Sequence, residues 1–160
     1  MRASVLLTAT LFAALALAGE ARAQANDGQV AYLGRDQVAA AFAKGAPLIE
    51  VVDYKIHASR RESAPGLAEI HTRDTDIIYV LQGSATLVTG GRAIDAKATG
   101  AEELRGSAIE GGETREIVPG DVVVVPNGTP HWFKQVKGPL LYYVVKVRQS
   151  GRETAAGAMR

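Results

Sequence analysis

The 160-residue chain contains no cysteine. A disulfide scaffold is therefore excluded, as is a cysteine-borne lipid anchor, and stability has to come from a hydrophobic core. The chain is equally short of net charge. Removing residues 1–23, for the reason given below, takes away Arg2, Arg22 and Glu20 and leaves sixteen basic and sixteen acidic residues. No basic field is available to draw in nucleic acid or an anionic membrane, and scattered cations such as Arg60-Arg61 read as a solvated face. Long apolar runs are missing too: the longest, Val5 to Ala18, falls short of the ~20 residues that span a bilayer. There is no GxSxG elbow, no P-loop, and no GxGxxG following a strand. Histidine is scarce, with three in all, at positions 57, 71 and 131.

What is present begins with an export signal. Arg2, the apolar stretch and Ala21-Arg22-Ala23 have the order of a cleaved secretory leader, with Ala23-Gln24-Ala25 as an alternative cut. The expectation is a periplasmic or secreted protein, cleaved after Ala23 or Ala25, with no membrane attachment afterwards. The remaining ~137 residues suffice for one domain with a sizeable core. With no nucleic-acid field, a partner should be a small molecule.

Residues 24–33 carry no periodic pattern, and Asp36 to Lys44 reads as a short helix capped by Asp36 and closed by Gly45. From Leu48 onward short apolar runs are broken by Gly, Pro and Asn, the pattern of an all-β sandwich or barrel. Strands are expected at 48–56, 57–62, 67–72, 77–82, 84–89, 92–95, 114–118, 121–126, 131–136 and 140–148. Gly90-Gly91 suits a two-residue hairpin between the runs on either side. Pro119-Gly120 suits a type II turn, and Val122 to Val125 should be buried on both faces. The polar, Gly-rich stretch 96–113 reads as an insertion loop.

The run GLAEIHTRDTDIIYVLQG, residues 66–83, poses a question. In a strand, Glu69 and His71 project to one face while Ile70 points the other way. A buried, unpaired carboxylate would cost several kcal/mol or lose its charge. A divalent cation removes that difficulty. Asp76 can return a second carboxylate from the start of the next strand, and His131, just after a Gly/Pro turn, is held at a defined strand start.

These two segments resemble the two motifs of the cupin superfamily, usually written G(x)5HxH(x)3-4E(x)6G and G(x)5PxG(x)2H(x)3N. Residues 120–135, GDVVVVPNGTPHWFKQ, meet the second at Gly120, Pro126, Gly128 and His131, departing only at Gln135. Counting back from Gly83, Asp76 stands at the usual Glu position, His71 at the second His and Glu69 at the first, so the first motif keeps its spacing with altered ligands. The resemblance covers roughly residues 47–148, with 24–46 a lead-in and short helix and 149–160 a flexible tail. It implies a single-domain jelly-roll β-barrel with one divalent metal inside its mouth, held by Glu69, His71, Asp76 and His131. Two carboxylates and two imidazoles would leave a divalent ion formally neutral, a weaker Lewis acid than a three-His site, with Fe or Mn favoured over Zn or Ni.

Other roles stay open for the same residues. Asp76 could cap its turn, and Glu69 could act as a base or pair with Arg73. His57 fits no ligand spacing and reads as surface or strand edge. Tyr79 and Gln135 are pocket candidates: Tyr79 could equally be packing, and Gln135, on His131's face in a regular strand, could bond a substrate or satisfy the barrel interior. Trp132 reads as rim or core. The expected function is a metalloenzyme acting on a small organic substrate by dioxygenase, isomerase or lyase chemistry; alternatives are a non-catalytic cupin that binds or senses a small ligand, and a purely structural barrel. The apolar strand Leu140 to Val147 could support a homodimer.

Overall fold

The computed structural model describes residues 29–149. The expected export signal and the expected flexible tail beyond Gln149 lie outside them. One helix, α1 (Arg35–Lys44), precedes eleven strands: β1 (Pro47–Glu50), β2 (Tyr54–Arg61), β3 (Ala68–His71), β4 (Asp74–Thr89), β5 (Arg92–Ile94), β6 (Lys97–Gly100), β7 (Glu103–Gly106), β8 (Ala108–Glu110), β9 (Glu113–Ile117), β10 (Val122–Val125) and β11 (His131–Arg148). All pairings are antiparallel. The main sheet runs β1-β2-β11-β3-β7-β6, and β4 joins β11 to β9 and β10, giving the jelly-roll arrangement expected. No helix among the described residues is long and apolar enough to cross a membrane.

Two long strands form the spine. β4 and β11 pair from Asp74↔Arg148 to Thr89↔His131, with register shifts at Phe133/Gln135 and around Lys137/Leu141. The sequence divided each into two strands, at Gly83 and near Pro139, and those divisions survive as irregularities inside continuous strands. At Gly83, φ is +76°, and a Cβ there would come within 2.5 Å of the Pro139 carbonyl. Only glycine lets the two backbones approach so closely.

The inner face of β4 changes character along its length. Asp74 and Asp76 are buried at one end, and Ile78 and Val80 lie beyond them. The hydrocarbon part joins Leu87, Ile117, Val125, Phe133, Leu140, Tyr142 and Val144 in the core. One end of the barrel is thus packed with apolar side chains and the other is charged. Burial of the apolar half supplies the main stabilisation, at roughly 25 cal/mol per Å² removed from water. Outside the barrel, α1 packs over β2 and β11 through Phe42 against Tyr143, ring centroids 5.0 Å apart.

Several expectations need correction. The stretch 96–113 is not a loop: it forms β6, β7 and β8, and β7 pairs with β3 along Ala68–His71. Short strands rich in Gly and charge carry little apolar periodicity, and their pairing partner supplies the order. Gly90-Gly91 does turn the chain but does not join paired strands, because β5 pairs with β8 while β4 continues against β9. The break in 48–62 falls at Val51–Asp53 rather than after Ile56. The helix is capped not by Asp36 but by Gly34, whose N–H donates to Gln37 Oε1; Asp36 lies in its first turn, while Gly45 is the left-handed C-cap anticipated. The Pro119-Gly120 turn closes as anticipated, with Asp121 N–H donating to the Val118 carbonyl. β10 pairs only with β4, so Val122 and Val124 are 60% and 57% exposed, and only Val125 is fully inside. The run Leu140 to Val147 is central in the sheet, hydrogen-bonded to β2 on one side and β4 on the other.

Candidate metal centre

Three distant segments meet at the charged end of the barrel. Glu69 and His71 lie on β3, Asp76 on β4, and His131 opens β11, directly opposite Glu69 in the ladder. The turn before His131 is fastened to the turn after His71. Gly128 N–H donates to the His71 carbonyl at 2.8 Å, Asn127 Nδ2 donates to the Thr72 carbonyl at 3.2 Å, and Asn127 N–H reaches Thr75 Oγ1 at 3.3 Å. These bonds hold the two halves of the site against each other.

Four donor atoms face one another. His71 Nε2 lies 3.6 Å from Glu69 Oε2 and 3.5 Å from Asp76 Oδ2, and His131 Nε2 lies 3.9 and 3.7 Å from the same two oxygens. Glu69, His71 and His131 form the mutually close set, each offering a donor within 4.8 Å of the others. Ligands about 2.1 Å from one ion stand about 3.0 to 3.4 Å apart. The nitrogen-to-oxygen spacings of 3.5 to 3.9 Å are somewhat wider than that, so the side chains would close in on a bound ion.

Protonation favours the same end. His131 Nδ1 is 3.2 Å from the Thr129 carbonyl, which can only accept, so the proton sits on Nδ1 and the Nε2 lone pair faces the cluster. His71 Nε2 is buried and has no hydrogen-bond partner among the described residues. A buried imidazole nitrogen left unmatched costs ~1–3 kcal/mol, and a cation among these donors would satisfy it. Burial pushes His131 below its ordinary value of 6.5, against the attraction of Asp76, the Thr129 carbonyl and Glu69, so it is neutral at pH 7 and able to ligate. For Glu69, burial raises the carboxyl, but the approach of His71, the Arg105 and Arg61 guanidiniums and His131 outweigh it and hold it down at about 2.

The cations around the carboxylates went unnoticed in the sequence. Lys146 Nζ donates to both Asp76 oxygens, at 2.8 and 2.7 Å. Glu69 Oε1 takes Arg61 Nη2 at 3.4 Å and Arg105 Nη1 at 3.5 Å, while Arg105 Nε also bonds Glu103 at 2.6 Å. Arg61 is not part of a solvated face: its side chain is 22% exposed, its guanidinium lies 4.6 Å from the centre of the Phe133 ring, and its Nε donates to Tyr142 Oη at 3.1 Å. Arg60 beside it does face outward, paired with Glu62. The period-two alternation of β2 could have separated the two arginines, and the same alternation from Tyr142 through Val144 could have turned Lys146 inward. Arg105 lay hidden in the stretch read as a loop.

Other expected residues fall elsewhere. Arg73 approaches Glu102, at 4.0 Å, and is not the partner of Glu69. Tyr79 is on the outer face of β4, opposite Val122 and Tyr143 and 43% exposed, so it does not line the site. Gln135 is exposed as well: the bulge between Phe133 and Gln135 breaks the alternation that would have put it on His131's face. Trp132 points away from His131 and donates its indole N–H to the Gly66 carbonyl at 2.7 Å. His57 sits by Glu50, 3.2 Å away, but not at a strand edge: it lies within β2, paired with Pro47 of β1 on one side and Val144 of β11 on the other.

Comparison with known proteins agrees with this architecture. The family model described as Cupin matches residues 57–159, and the chain belongs to that family. No curated protein matches the chain. Among solved structures, a Bacillus halodurans protein is similar in fold, at 14% identity and a TM-score of 0.53, covering 79% of this chain and 87% of its own. KdgF from Halomonas sp. is 20% identical, TM-score 0.47, over 65% of this chain and 78% of that one. The polyketide cyclase RemF from Streptomyces resistomycificus is 21% identical, TM-score 0.43, over 64% and 62%. At these identities the likeness is one of fold.

Proposed function

We propose that this cupin is an exported metalloenzyme that acts on a small organic molecule. The observation that carries the proposal is the buried, partnerless Nε2 of His71, facing Glu69 Oε2, Asp76 Oδ2 and a second imidazole nitrogen. Glu69, His71 and His131 would hold a divalent ion, and Asp76, fixed from behind by Lys146, would supply a fourth oxygen. Two carboxylates favour Fe or Mn, with Zn or Ni as further occupants. When bound, such an ion supplies Lewis-acid polarisation of a substrate oxygen, which suits oxygenase, isomerase or lyase chemistry.

The chain's own groups define the remaining roles. Glu69, with a carboxyl at about 2, is ionised and weakly basic at neutral pH, which suits a ligand better than a carrier of protons. Burial raises the Tyr142 hydroxyl above its ordinary value, against the pull of Arg61, so it stays protonated. Tyr142 with Arg61 then lines the inner wall as hydrogen-bonding groups. Export rests on the leader-like residues 1–23.

Elemental analysis of protein purified without a metal-affinity tag tests the reading. It should report about one divalent ion per chain, lost in His71→Ala, and chelator should lower the melting temperature, since an ion bound only by the folded state stabilises it. Metal-free protein whose melting ignores both chelator and added metal would sink it. That result would favour the second reading, a non-catalytic ligand-binding cupin, for which the ion pairs already balancing Glu69 and Asp76 speak.

A further inference from the structure

Counting only its four ligands, this centre would be neutral with a divalent ion and indifferent to the charge of what enters. The surroundings change that. Glu69, Asp76 and Glu103 are matched by Arg61, Arg105 and Lys146 before any metal arrives. The neighbouring Asp74 and Glu102 are likewise matched, by Lys55, Arg148 and Arg73, and leave no negative charge over. Both imidazoles sit in contact with this balanced set. A divalent ion therefore adds a full double charge beside Arg61, which packs on the buried Phe133 ring and bonds the buried Tyr142, where low polarisability strengthens every charge interaction.

Arg61 is built to receive the compensating group. Its Nε is taken by Tyr142 and its Nη2 by Glu69, but Nη1 has no protein acceptor among the described residues. Phe133 lies under the guanidinium plane. On its flank is Gly66, where a Cβ would come within 2.6 Å of Nη1. Gly66 is itself held, its N–H donating to the Phe133 carbonyl and its carbonyl accepting from Trp132. A planar fork so confined, one of whose arms bonds a metal ligand, matches a carboxylate at the edge of the coordination sphere.

We infer that the ligand of this pocket is a chelating organic acid, whose carboxylate is taken by Arg61 and whose neighbouring oxygen reaches the ion. The inference rests on the metal reading above and deepens it by naming the substrate class. Arg61 acts here as the specificity-determining residue. Lys146 and Arg105 serve it indirectly, by neutralising the carboxylates that would otherwise repel the incoming anion.

Malonate and its neutral isostere malonamide test this by calorimetric titration into manganese-loaded protein, with metal content measured on the same samples. Malonate should bind and malonamide should bind at least tenfold more weakly. Arg61→Gln should weaken malonate about tenfold to a hundredfold, the worth of a charge-assisted hydrogen bond, while retaining about one ion per chain. Arg61→Lys, which keeps the charge without the fork, should fall between the two and serves if the Gln variant does not fold. Equal binding of malonate and malonamide, or undiminished malonate binding by a metal-replete Arg61 variant, overturns the inference and leaves the metal reading standing. Wild-type protein that takes up no metal removes the metal reading itself, and the inference falls with it.

Discussion

Replacing Glu69 by Gln in the metal-free protein should flatten the acid side of its stability profile. The carboxyl, at about 2 in the folded chain against an ordinary 4.5, binds its proton far more weakly folded than unfolded. That gap corresponds to about 3 kcal/mol of stability, fully present above pH 4.5 and lost as the pH falls from there through 2. About 2 kcal/mol of it should disappear between pH 6 and pH 3. Urea unfolding followed by the fluorescence of the single tryptophan, Trp132, would measure it, because that indole is hydrogen-bonded to the Gly66 carbonyl only in the folded barrel. Wild type should lose about 2 kcal/mol more than Glu69→Gln over this interval. The variant should already be weaker at pH 7, since Arg61 and Arg105 lose the carboxylate they share. Parallel pH profiles for the two proteins would refute the claim that the arginines and imidazoles hold this carboxyl ionised.

The remaining expectations concern other parts of the molecule. His131, lowered from 6.5 by burial, should make the metal-free protein less stable as pH falls below 6.5, because the unfolded chain takes the proton first; a His131→Gln variant should lack this component in the same urea series. Gly83→Ala should cost at least about 2 kcal/mol in urea unfolding, combining a left-handed backbone with a Cβ driven onto the Pro139 carbonyl. Leu140→Ala, in the core with no exposure, should cost about 2 to 5 kcal/mol by the same measurement. Gln135→Ala and Tyr79→Ala should leave metal content unchanged by elemental analysis, since both side chains lie outside the site.

Much of the donor set could be read from one dimension because it depends on local rules. Glu69 and His71 share a face through the two-residue period of a strand. The spacing of Gly120, Pro126, Gly128 and His131 encodes a turn that delivers an imidazole at a strand start. Gln135 was misplaced for the complementary reason: a bulge shifts the period by one, and nothing in residues 131–136 announces it. Residues 96–113 were misread because a strand of mixed polarity is stabilised by its ladder partner, and β3, its partner, lies 30 or more residues away along the chain.

The sequence by itself determined that a β-barrel with Glu69, His71, Asp76 and His131 at motif positions would form, since period and turn chemistry act between near neighbours. Only tertiary structure decided which charges surround those groups. Arg61, Arg105 and Lys146 come from three strands, and their effect on the carboxylates falls off with distance through space rather than with separation along the chain.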